Sequence, residues 1–65
     1  MRIVITFPRG VDSRALYDDL SCFKMNVTDM DTVVYANRND ITATEISQVL
    51  VVCDKYGYYD VSVTK

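Results

Sequence analysis

Ile3, Ile5 and Phe7 alternate with Arg2, Val4 and Thr6 at the start of the chain. Residues 1–7 therefore read as a half-buried strand, ended by Pro8-Arg9-Gly10. The period then becomes helical. Asp12 is a good N-cap, Val11 before it can staple onto Leu16, and Leu16, Leu20 and Phe23 recur as a core stripe. Arg14, Asp18 and Ser21 lie on the far side, and the spacing predicts a helix over about 13–22. Lys24 to Thr28 alternates again, with Met25 and Val27 toward the core. Asp29-Met30-Asp31 is a turn, and the β-branched run Thr32 to Asn37 completes a hairpin. Asn37 to Asp40 is a loop. Thr42-Ala43-Thr44-Glu45 is a capping box, with Ile41 placed to staple onto Ile46. Ile46, Val49, Leu50 and Cys53 form an inner helical stripe, widened by Val52 and Tyr56. Gly57 is placed to end that helix as a left-handed residue. Val51 lies about 140° from Ile46 at roughly 100° per residue, so it is either a contact residue or the margin of a wide buried face. Tyr58 to Thr64 alternates a last time, with Tyr59, Val61 and Val63 on one side and Tyr58, Asp60, Ser62 and Thr64 on the other.

The order strand, helix, strand, strand, helix, strand predicts an α+β fold. It is a ferredoxin-like βαββαβ sandwich, a four-stranded antiparallel sheet with two helices on one face. Right-handed crossovers are expected to set strands one and three parallel at the centre, in the order 4-1-3-2. The other sheet face is then open. The register puts Arg2, Val4, Thr6, Lys24, Asn26, Thr28, Tyr58, Asp60, Ser62 and Thr64 on it, and Val33 and Tyr35 are assigned there too. Edge strands two and four are open to pairing across a two-fold axis, so the expected state is a monomer or a homodimer.

At 65 residues the chain is one domain, 1–65, because a second core would not fit. A domain this small buries only about 60% of its unfolded surface, so a partner or self-association is expected to add to its stability. There is no histidine, which removes Ser-His-Asp and Cys-His catalysis and His-ligated zinc. The net charge of −2 argues against duplex DNA binding. No apolar run approaches the roughly 18 residues of a membrane span, and the start is too short for a signal peptide, so a cytoplasmic protein is expected. Cys22 and Cys53 match no CxxC spacing and read as half-buried free thiols.

Several constellations carry candidate chemistry. Asp18 and Asp19 on the first helix, with Asp54 near the end of the second, suggest one acidic surface able to engage a basic groove that normally holds nucleic acid. Arg2, Lys24, Tyr35 and Tyr58 suggest a second binding surface on the open sheet face. Asp29-x-Asp31 offers two carboxylates, too few for a calcium site, and no metal or cofactor is expected. RNA-recognition modules share the topology, but their third-strand signature needs more aromatics and a glycine than Asp31 to Arg38 supplies. Gly10-Val11-Asp12-Ser13-Arg14 resembles the phosphate-holding segment of acylphosphatases. At the position of that family's catalytic asparagine stands Val27, with Asn26 adjacent on the opposite face. Copper chaperones resemble the chain in topology, yet need a first-loop CxxC that is missing here.

Read as a complete protein, a mildly acidic chain of this size without catalytic groups is similar to small phage or mobile-element proteins. In size, charge and topology it resembles inhibitors of the anti-CRISPR type. The resemblance implies a non-enzymatic protein that binds and blocks a host nucleic-acid-handling complex, with a CRISPR effector subunit as partner. The alternatives are a small RNA- or ligand-binding regulatory domain and an acylphosphatase-like enzyme.

Overall fold

The computed structural model describes residues 1–30, 32–57 and 59–65. The chain is α+β. Its elements are β1 (Arg2–Pro8), α1 (Ser13–Leu20), a 3₁₀ turn η1 (Ser21–Phe23), β2 (Asn26–Asp29), β3 (Val33–Arg38), α2 (Ala43–Cys53), a second 3₁₀ turn η2 (Asp54–Tyr56) and β4 (Asp60–Thr64). The four strands form one sheet in the order β2-β3-β1-β4.

Every pairing in that sheet is antiparallel. The expectation of parallel first and third strands is therefore corrected. The α1 crossover returns the chain so that β2 runs with β1. The hairpin then reverses it, and β3 meets β1 head to tail.

The alternation in β1 fixes the core. Ile3, Ile5 and Phe7 are fully buried, and the register sets Ile5 opposite Ala36 and Phe7 opposite Val34, both buried on the same face. Leu16 and Leu20 of α1 and Val49 and Cys53 of α2 close one cluster over that row. Each fully buried side chain of this size contributes roughly 1.5–3 kcal/mol.

The caps explain where the helices start. The Asp12 carboxylate accepts from the Arg14 and Ala15 amides at 3.1 Å each. Thr42 and Glu45 form the reciprocal capping box, and Ile41 before it is buried. The backbone N–H of Ile41 also donates to the Met1 carbonyl at 3.0 Å, tying the start of the chain to the entry of α2.

The helix ends differ from the expected ones. α1 stops at Leu20 and tightens into η1, closed by Lys24 in the left-handed region at φ 56°. β2 consequently starts at Asn26, and Lys24 lies outside it. α2 gives way to η2 at Asp54. Gly57 has the expected positive φ, 81°, but its ψ of −134° lies outside the left-handed helical region. Val51 is 69% exposed, so it is not part of a wide buried face. The thiols differ as well: Cys53 is buried among core residues while Cys22 is exposed, and both are free.

Candidate partner-binding surfaces

The acidic residues are organised by tyrosines. Tyr56, at the end of η2, donates its hydroxyl hydrogen to the Asp19 carboxylate on α1. Tyr59 donates to Asp54 at 2.6 Å, with its oxygen also 3.4 Å from the Leu50 carbonyl. Both rings pack against Phe7, at centroid separations of 6.2 and 5.9 Å, the Tyr56 contact being edge-on. Tyrosine suits this position because its ring joins the core while its hydroxyl meets a polar partner at the surface.

The electrostatics follow from these bonds. The hydrogen bond donated to the Asp19 carboxylate holds the proton on Tyr56 and pushes the phenol up to about 12, with burial and the charges of Asp19 and Asp12 adding to the rise. The bond to Asp54, with burial and the Asp54 charge, likewise pushes Tyr59 up to about 12. Burial, with the charge of Asp54 added, pushes the Cys53 thiol up to about 11. Asp18 is exposed on α1 beside Tyr17, itself 57% exposed. Among the described residues no ion pair reaches Asp18, Asp19 or Asp54; the ion pair found there joins Arg38 to Glu45. The structure thus brings Asp19 to the end of η2, two residues from Asp54, with Asp18 next to Asp19 along α1.

The open-face set is not brought together. Arg2 and Tyr35 do lie on the open face, since Arg2 pairs with Thr64 and Tyr35 with Thr6. Four residue steps along β1, from Arg2 to Thr6, separate their rows, about 13 Å at 3.3 Å per residue. Lys24 belongs to the turn before β2, and Tyr58 lies outside the described residues. The rows across the face read Thr28–Tyr35–Thr6–Asp60 and Asn26–Asn37–Val4–Ser62, a largely uncharged surface rather than a basic one.

The remaining motifs have structural roles. Asp12 occupies the amides at the start of α1 that a phosphate would need, and Gly10 turns the chain at φ 100°. Val27 faces the core, half-buried opposite Ala36. Asp29 accepts from the Ser13 hydroxyl at 3.0 Å, and Asp31 lies outside the described residues. Among the described residues no group of three metal-ligating side chains forms, no pocket opens, and no helix is long and apolar enough to cross a membrane.

Sequence reasoning placed Tyr56 on the inner stripe and missed its hydroxyl partner. The available signal was the requirement that a half-buried phenol find an acceptor, with acidic residues on both helical segments. Compared with known proteins, the chain matches no family model, no curated protein and no solved structure.

Proposed function

We propose that the chain is a non-enzymatic binding protein that docks Asp18, Asp19 and Asp54 against a basic groove of a host nucleic-acid-handling protein and blocks it. In this reading it acts in the host cytoplasm as a small phage or mobile-element inhibitor of the anti-CRISPR type, with a CRISPR effector subunit as its partner. Its scaffold is read as ferredoxin-like. The β2-β3-β1-β4 order, with α1 joining β1 to β2 and α2 joining β3 to β4, supports that reading.

The observation that carries the functional reading is the Tyr56–Asp19 bond. It ties a carboxylate of α1 to the end of η2, two residues from Asp54, and among the described residues no ion pair engages Asp18, Asp19 or Asp54. Such an array complements a basic groove and speeds encounter with it. The largely uncharged open face offers no comparable attraction for a phosphate backbone.

The test is recovery of partners on the immobilised chain from bacterial lysate containing CRISPR effector complexes, after nuclease treatment. A nucleic-acid-handling protein retained in stoichiometric amount and displaced by added DNA is the expected result. Asp18→Lys and Asp54→Lys are expected to lose it, while Tyr35→Ala keeps it. Full retention by both lysine variants overturns the acidic surface. Recovery of nucleic acid alone overturns the inhibitor and favours an RNA-binding domain.

A further inference from the structure

β4 is an edge strand in which every residue is exposed. Its helix-side residues are bare where their neighbours are not. The register sets Val63 opposite Ile3 and Val61 opposite Ile5. Ile3 and Ile5 are fully buried, whereas Val63 and Val61 remain 44% and 38% exposed. Helical cover therefore ends at β1. The other edge differs: Val27 of β2 packs against the core, Met25 just before it is buried, and α1 lies against the strand.

Edge strands are usually guarded by a proline, a bulge or an inward-pointing charge. The run Val61-Ser62-Val63-Thr64 has no proline and no charge, and the charged residues Asp60 and Lys65 flank it at opposite ends.

We infer that β4 is the seam of a homodimer, in which two copies pair β4 with β4 antiparallel about a two-fold axis through Ser62. The strand is complementary to itself in that register. Val61 of each copy faces Val63 of the other, so four valines form one apolar cluster that continues the row of Ile3 and Ile5. On the opposite face Asp60 of each copy faces Thr64 of the other, a carboxylate beside a hydroxyl donor. In this register each Asp60 lies opposite a threonine, so no like charges face each other across the seam. A slip by one residue would turn every side chain to the other face and set valines against serine and threonine. A seam of one five-residue strand falls short of the roughly 1,200 Å² that stable interfaces bury. The dimer is accordingly weak and concentration-dependent.

The experiment is sedimentation equilibrium of the full chain at concentrations up to about 1 mM. The average mass is expected to rise from one chain toward two. Val61→Lys/Val63→Lys sets lysine opposite lysine and is expected to weaken association about tenfold or more. Val61→Lys/Val63→Glu sets lysine opposite glutamate and is expected to restore association, in a salt-sensitive form. Both positions are partly solvated, and circular dichroism confirms that each variant is folded. A wild-type chain that stays monomeric overturns the proposal. So does a lysine/lysine variant that associates as well as the wild type, or a folded lysine/glutamate variant that associates no better than lysine/lysine.

Discussion

The hydroxyl of Tyr56 and the carboxylate of Asp19 join two parts of the chain separated by 37 residues. The ring of Tyr56 meets Phe7 edge-on beneath them. One side chain therefore closes the core beside β1 and sets the position of an acid on the surface. Tyr59 repeats the arrangement toward Asp54, its ring also packed against Phe7. The proposed binding surface and the core are thus coupled through two phenols, and a substitution in one is felt in the other.

Tyr56→Phe separates the two roles. The phenylalanine keeps the contact with Phe7 and loses the bond to Asp19, for an expected cost of about 0.5–1 kcal/mol. Tyr56→Ala loses the ring as well and is expected to cost about 2 kcal/mol or more. Urea unfolding measures both. Equal losses would show that the ring contributes nothing beyond its hydroxyl. Because Asp19→Lys also breaks this bond, Asp18→Lys is the cleaner probe of partner binding.

Alkaline pH acts on the same groups. Tyr56 and Tyr59 sit at about 12 against an ordinary 10, and Cys53 at about 11 against an ordinary 9. The native state therefore holds these protons more tightly than the unfolded chain does. The stabilisation is complete below the unfolded values and is lost as pH rises through 11 to 12. Urea midpoints are expected to hold steady up to about pH 9 and then fall. Tyr59→Phe makes that fall shallower, and the tyrosinate absorbance of the native protein is expected to lose a late-titrating component in that variant.

Much of this fold is legible in the residues themselves. Period-two alternation at Ile3, Ile5 and Phe7 marks a buried strand face, and the Thr42–Glu45 box marks a helix start, because both signals are local. The end of α1 is less legible. Lys24 adopts a positive φ that its residue type does not advertise, and this shifts the start of β2. The exposure of Val61 and Val63 is invisible to alternation, which reports the face of a strand and not whether a helix reaches it. For the candidate site, the acidic residues were legible from sequence, but the tyrosine bonds that orient them join residues far apart in the chain. Arg2 and Tyr35 were assigned correctly to one face, yet their separation along β1 depends on the register with β3.

Acid acts elsewhere, on Glu45. Its carboxyl is held below the ordinary value, first by the hydrogen bond from Arg38, with the capping bonds of Thr42 adding to the effect against desolvation. Arg38 also donates to the Phe23 carbonyl at 3.1 Å, so one guanidinium links η1, β3 and the first turn of α2. A lowered native value means that the stabilisation is present above the unfolded value near 4.5 and is lost as pH falls through the native one. Glu45→Gln keeps a capping side chain but removes the charge. It is expected to lower stability at neutral pH and to flatten this acid limb in urea titrations. An unchanged acid limb would assign it to other carboxylates.

Cys22 and Cys53 offer a direct reading of local opening. Cys22 lies exposed in η1, while Cys53 is fully buried at the end of α2, with its thiol pushed up to about 11 by burial and by the charge of Asp54. Only the thiolate attacks a disulfide reagent, so both access and ionisation protect Cys53. In the native protein at neutral pH one thiol is expected to react promptly and the other at least about 100-fold more slowly. In denaturant both react together. The slow rate follows the opening of the α2–η2 junction, the segment that Tyr56 and Tyr59 hold closed. Tyr56→Phe should therefore accelerate Cys53 and leave Cys22 unchanged. If the variant left both rates untouched, Cys53 would be reached only through global unfolding, and the tyrosine bonds would orient the acids without restraining the helix end.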